Sequence, residues 1–65
     1  MSKTHIIFVE GMSCEKCVQR IDAELANTRI DYTISLGSGS VTVVGNNDAI
    51  RAAEMAINNA GYRIK

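Results

Sequence analysis

The sequence predicts an α+β fold of order β-α-β-β-α-β, and three observations carry that prediction. Two amphipathic helical stripes alternate with short β-type runs, and glycine-bearing turns separate the runs. The order also reads twice as a β-α-β half, with Gly11 and Gly45 ending the first strand of each half.

Residues 4–10 (Thr-His-Ile-Ile-Phe-Val-Glu) concentrate β-branched and aromatic side chains and stop at Gly11, as a strand does. This run is apolar on both faces, which suits a central strand, and Ile6 and Phe8 are expected on the open face of the sheet. Ser13 is the expected cap of a helix over about residues 14–27, whose apolar positions Val18, Ile21 and Leu25 fall at i, i+3 and i+7. Residues 31–36 alternate, with Tyr32, Ile34 and Leu36 on one face and Asp31, Thr33 and Ser35 on the other, so they read as a half-buried strand. Gly37-Ser38-Gly39-Ser40 is a turn, and residues 41–44 form a third strand that closes a hairpin with the second. Gly45-Asn46-Asn47-Asp48 supplies turn and capping chemistry for a second helix to about Ala60. Its expected buried stripe is Ile50, Ala53, Ile57 and Ala60, and Gly61 is its stop. Residues 62–65 make a short last strand.

Both stripes can be buried only if the two helices cover one face of a four-stranded antiparallel sheet, with the first and third strands central. That is the ferredoxin-like open-faced sandwich. At 65 residues the chain buries only about 60% of its unfolded surface, so one domain, residues 1–65, is expected, with little stability to spare. Apolar residues make up 46% of the chain and proline is absent, a globular composition. Seven basic against seven acidic residues leave no net charge, which argues against nucleic acid or an anionic membrane as partner. No apolar run is long enough to span a bilayer, and Met-Ser-Lys-Thr-His lacks the apolar core of a secretion leader, so the expected compartment is the cytoplasm.

Residues 11–17 read Gly-Met-Ser-Cys-Glu-Lys-Cys and hold the only two cysteines, Cys14 and Cys17. The first turn of a helix brings positions i and i+3 to one side, so both sulfurs can meet one metal ion or each other. A disulfide closing so small a loop restricts the unfolded chain little and is a poor staple. Soft thiolates select soft ions, and a two-sulfur site suits Cu(I) rather than Ca(II) or Mg(II), which require oxygen cages. The positive end of a helix favours anions, so the thiols, Cys14 above all, are expected to ionise readily, with Lys16 adding to the effect. Two thiolates leave Cu(I) under-coordinated, with room for an incoming thiolate of a second protein, and ligand-by-ligand exchange then moves the metal without releasing it.

Around this pair, Met12 reads as core filler between a glycine turn and an apolar sheet rather than as a ligand. Tyr62 is either the first residue of an edge strand or a shield and hydrogen-bond donor beside the sulfurs. His5 lies nine residues before Cys14 and is not placed at the site. Lys16, Gln19, Arg20 and Glu24 fall on the exposed side of the first helix, and Glu15, Lys16, Gln19 and Arg20 form a candidate docking surface. Thr42 and Val44 give Ile6 and Phe8 no aromatic partner on the third strand, which disfavours an RNA-binding sheet.

Gly11, Met12, Cys14 and Cys17, the two-helix layout and Ala60-Gly61-Tyr62 together make the whole chain resemble a heavy-metal-associated domain, and in length a stand-alone bacterial copper chaperone. The resemblance implies that Cys14 and Cys17 bind Cu(I), that Met12 packs beneath the metal loop, and that Ser13 and Tyr62 lie around the site. It implies delivery to the metal-binding domain of a copper-transporting P-type ATPase or to a copper-sensing regulator, by a monomer that a shared ion can bridge into a dimer. Ag(I), Zn(II), Cd(II) and Hg(II) are the other candidate cargoes, although zinc normally takes four ligands, and an Asp commonly precedes the first cysteine in zinc-handling relatives where this chain has Ser13. Two positions depart from the family pattern: Asn27-Thr28-Arg29-Ile30 replaces the usual Gly-Val turn, and Glu15 puts a carboxylate between the cysteines. Two rival roles are a metal-binding domain at the N-terminus of such an ATPase and a thiol-disulfide redox protein with Cys14 as nucleophile and Cys17 as resolving thiol. The absence of proline disfavours the redox role, and a carrier, not an enzyme, is expected.

Overall fold

Six elements follow in the predicted order in the computed structural model, which describes residues 3–65: β1 (Lys3–Glu10), α1 (Glu15–Ala26), β2 (Asp31–Ser35), β3 (Ser40–Gly45), α2 (Asn47–Asn59) and β4 (Arg63–Ile64). Met1 and Ser2, with which the segment read as lacking a leader begins, lie outside the described residues. The strands form one antiparallel sheet in the order β2-β3-β1-β4, so β1 and β3 are central, as expected of a ferredoxin-like sandwich.

Register fixes which side chains meet the helices. Ile7 pairs with Val41, Val41 with Ile34, and Val43 with Tyr32, which puts the apolar members of three strands on one face. Against them α1 lays Ile21 and Leu25, and α2 lays Ala53, Ala56 and Ile57; together with Ile7, Val9, Met12, Val41 and Val43 these residues are the core. Ile21, Leu25 and Ile57 are fully buried, and each such side chain contributes about 1.5–3 kcal/mol relative to exposure. Alanines on α2 let that helix approach the sheet closely. The opposite face is open, and Ile6 and Phe8 stand on it about half exposed, at 52% and 51%.

Several expectations shift at element ends. Ala56 joins the buried stripe of α2, whereas Ile50, in its first turn, and Ala60, its cap, are only half-buried because the stripe's ends overhang the sheet. Strand β2 stops at Ser35, one residue early. Leu36 instead accepts the Gly39 N–H at 3.2 Å to close the hairpin turn, and it is 39% exposed rather than on the inner face. Ser40, placed in the turn by sequence, opens β3 and is buried. Strand β4 is only Arg63–Ile64, so Tyr62 and Lys65 lie outside it. Glu24, expected on the exposed side of α1, is half-buried. After α1, Arg29 takes the left-handed conformation (φ 57°) that glycine usually supplies, while the Thr28 N–H and hydroxyl both donate to Leu25 O. Among the described residues no helix is long and apolar enough to cross a membrane.

Candidate metal centre

Strand β1 runs to Glu10, and Gly11 (φ 86°) turns the chain over the end of the sheet. Met12 then drops into the core at 5% exposure, which anchors the loop from below and leaves Ser13 and Cys14 at the surface. The hairpin turn braces the same loop. Val9 N–H donates to Gly39 O at 2.9 Å, and a Cβ on Gly39 would come within 3.9 Å of Met12 O. The sequence did not single out this brace; its one trace there is the Gly-Ser repeat that allows a tight turn.

The cap of α1 is Cys14, not Ser13 as expected. Cys14 is extended (φ −144°, ψ 163°), and its sulfur accepts the Cys17 N–H at 3.3 Å. The thiol therefore does what a capping hydroxyl does, binding the backbone donor three residues on, and the helix starts one residue later than a Ser13 cap would set it. Ser13 is exposed, and its part at the site is a backbone N–H directed at the Cys17 sulfur. Cys14 is exposed, Cys17 is partly covered, and both are free thiols with their sulfurs in contact at 2.7 Å.

Tyr62 reaches the site through the end of α2. With Ala60 as cap, Gly61 adopts φ 95° and donates to Asn58 O at 3.0 Å, and Tyr62 N–H donates to Ile57 O at 3.2 Å. This pair of bonds is a Schellman motif, which fixes the direction in which the chain leaves the helix. The Tyr62 ring comes to lie beside Gly11, its Cδ1 3.8 Å from where a Cβ would stand there, and its hydroxyl acts on the Cys17 thiol.

These contacts favour the charged sulfur. The Cys17 thiol is lowered from the ordinary 9.0 to about 7, first by its hydrogen bond with Cys14, then by Tyr62, with the Ser13 and Cys14 backbone groups adding and partial burial opposing. Cys17 ionises readily because these donors converge on its sulfur. Tyr62 is raised above 10.0 mainly because its proton is held by Cys17. Glu15, Lys16, Gln19 and Arg20 are all exposed on the first turns of α1, and the Arg20 charge is felt at the Tyr62 hydroxyl. His5 pairs with Val43 well down β1 and takes no part.

Among the described residues no group of three or more His, Cys, Asp or Glu side chains converges, so the donor set offered to a metal here is two sulfurs. A tetrahedral zinc site would need further ligands from elsewhere, whereas a soft monovalent ion is satisfied by few thiolates. With metal–sulfur bonds of about 2.3 Å, an ion held linearly by two sulfurs sets them roughly 4.6 Å apart, wider than the 2.7 Å between Cys14 and Cys17.

A family model described as the heavy-metal-associated domain matches residues 6–63. Among curated proteins none matches the chain significantly in sequence. Among solved structures, the CopZ metallochaperone is 27% identical over 97% of this chain and 100% of its own, with a TM-score of 0.79. The CsoZ metallochaperone is 25% identical over 100% of this chain and 99% of its own, with a TM-score of 0.80. The copper binding domain of HMA7, a P-type ATPase, shares the fold at 22% identity, covering 100% of this chain and 92% of its own with a TM-score of 0.79. With the family model spanning nearly its whole length and the sheet and helices in the matching order, the chain belongs to the heavy-metal-associated domain family.

Proposed function

We propose that the chain is a Cu(I) carrier that holds one ion between the Cys14 and Cys17 thiolates and gives it up by ligand exchange to a dithiol acceptor. The observation that carries this reading is the pair of converging thiols at the start of α1, Cys14 exposed and Cys17 partly covered, with no third His, Cys, Asp or Glu gathered beside them among the described residues. A two-sulfur site suits Cu(I), and its open coordination lets an acceptor thiolate join before a donor thiolate leaves. Met12 keeps the loop seated in the core, and the Ser13 N–H and Tyr62 hydroxyl offset sulfur charge. The likenesses to the CopZ and CsoZ metallochaperones support the carrier role, and the copper binding domain of HMA7 supports a P-type ATPase as the kind of acceptor. A copper-sensing regulator with accessible thiols is an equivalent acceptor. Glu15, Lys16, Gln19 and Arg20, exposed beside the thiols, are the surface through which it docks. The cytoplasm, where glutathione keeps thiols reduced, is the compartment in which such a pair stays available.

The test is an anaerobic titration of the reduced protein with Cu(I) against a chromophoric chelator, with Zn(II) present in competition. One Cu(I) per chain, undisplaced by excess Zn(II) and lost in Cys14→Ser/Cys17→Ser, is the expected result. Equal retention by that double variant would end the proposal, and preferential Zn(II) binding would reassign the cargo. The likeness to HMA7 favours one second reading, the same unit working as a domain of an ATPase, which the mass of the native polypeptide on a blot decides.

A further inference from the structure

Strand β1 is central at one end of the sheet and an edge at the other. Strand β3 runs along it from Lys3 to Phe8, whereas β4 pairs with it only at Val9 and Glu10, and the Lys65 N–H adds one bond to Phe8 O at 2.8 Å. In an antiparallel ladder the backbone groups of alternate residues point to the same neighbour. The Val9 N–H turns toward Gly39, on the β3 side, and Phe8 O toward Lys65, on the β4 side. Thr4 and Ile6 therefore direct their N–H and C=O groups away from β3, along a stretch that neither β4 nor Lys65 reaches. Residues 3–6 are all exposed, His5 included, although it pairs with the buried Val43. Such a row of free backbone donors and acceptors is a template for another strand.

We propose that a second copy of this chain fills that place, its β1 lying antiparallel to β1 about a two-fold axis at His5. Lys65 closes the edge at Phe8, so the free window among the described residues is 3–7, and it is symmetric about His5. Lys3 stands opposite Ile7 of the second copy, Thr4 opposite Ile6, and His5 opposite His5. The Thr4 and Ile6 N–H groups of each copy donate to the Ile6 and Thr4 C=O groups of the other, so every outward group of the window finds a partner. A register shifted toward Phe8 runs into Lys65 and leaves Thr4 unmet. On the open face the two Ile6 side chains, each 52% exposed in the single chain, become diagonal neighbours across the seam. The metal loop begins beyond the other end of β1, at Gly11, so both thiol pairs stay free and no ion takes part. The pairing is thus independent of the carrier reading. A seam of this size belongs to the weak class, with a Kd of about 0.1–1 mM.

The experiment uses the whole chain, reduced and treated with a chelator. Sedimentation equilibrium is expected to show a mass rising toward the dimer as concentration increases from about 20 µM to about 2 mM. Over the same range the amide protons of Thr4 and Ile6 are expected to exchange more slowly with solvent, while those of His5 and Ile7, which already face β3, keep their rates. Ile6→Pro removes an outward N–H without breaking a bond to β3, as proline permits on an edge, and is expected to weaken association about 10-fold or more. Thr4→Pro does the same nearer the strand end and serves if Ile6→Pro fails to fold. Cys14→Ser/Cys17→Ser is expected to associate like the parent, which separates this pairing from a dimer bridged by metal. A chain still monomeric at about 2 mM overturns the proposal, as does association undiminished in a folded proline variant or lost in the cysteine variant. Exchange at Thr4 and Ile6 that slows only on adding a synthetic peptide of alternating Val and Thr, the chain itself staying monomeric, would assign the edge to a foreign strand and overturn the second copy as its occupant.

Discussion

Tyr62 meets Cys17 because a helix ends correctly, not because a strand carries it there. Gly61 in the left-handed region lets the Ile57 carbonyl receive the Tyr62 N–H, and this turn brings the phenol from the end of α2 to the sulfur at the start of α1. Two elements distant in sequence thus meet at the candidate site.

Removing the phenol hydroxyl in Tyr62→Phe takes away the second largest of the influences that lower the Cys17 thiol. The ring remains beside Gly11, so the fold is expected to hold. The midpoint for alkylation of Cys17 in metal-free protein, followed by mass across pH, is expected near 7 in the parent and higher in the variant. Coincident midpoints would show that Tyr62 does not act on the sulfur.

The same shift makes folding stability depend on pH. A thiol at about 7 folded and 9.0 unfolded contributes stability that is fully present above 9.0 and lost as pH falls through about 7. Tyr62 and Tyr32, both raised above 10.0, contribute stability that is complete below 10.0 and is lost only at more alkaline pH, so they leave the window between 7 and 9 to the thiol. Urea midpoints of the reduced, metal-free protein are expected to rise from pH 7 to pH 9, and Cys17→Ser is expected to flatten that rise. An equal slope in the variant would trace the dependence to other groups.

Gly61→Ala tests the turn itself. At φ 95° a Cβ is strained whatever space surrounds it, and the loss is expected to be about 1 kcal/mol in chemical denaturation. Since that turn aims Tyr62, the alkylation midpoint of Cys17 is expected to rise as in Tyr62→Phe. Gly37→Ala is the control, because nothing lies within 4 Å of its added Cβ. Its stability is expected to stay within about 0.5 kcal/mol of the parent.

Periodicity was enough to find both helices, all four strands and their order, because each buried stripe must meet a sheet and only one face of this sheet is covered. Gly61 was legible as a stop since few other residues adopt that conformation cheaply, but the Schellman bonds that aim Tyr62 depend on a helix end meeting a loop in space. The capping role of Cys14 was hidden because capping preferences favour hydroxyls and carboxylates, and Ser13 stood next to it. Leu36 kept the alternation of β2 and still left the core, because hairpin closure through its carbonyl outweighed the burial of one side chain at the sheet's end. The convergence on Cys17 likewise joins the continuous stretch Ser13–Cys17, whose spacing is legible locally, to the loop at Tyr62, whose approach no local pattern encodes.

Gly45 sets the spacing between β3 and α2 at the end of the molecule where β1 begins, since it pairs with Lys3. A Cβ built on it would stand 2.7 Å from Ala49 Cβ, closer than two such atoms approach, and Ala49 has no flexible end to move aside. The clash falls in the first turn of α2, where the Asn46 side chain caps the Ala49 N–H at 3.0 Å, so relief requires the helix start to shift and that bond to lengthen. Gly45→Ala is therefore expected to cost about 1–3 kcal/mol in urea denaturation, as overpacking generally does. Ala49→Gly added to it should return much of that loss, because it removes the other partner of the clash at the smaller cost of one glycine in a helix, about 1 kcal/mol. A double variant no more stable than Gly45→Ala alone would mean that the loss arises in the backbone of the turn and not in the approach of these two residues.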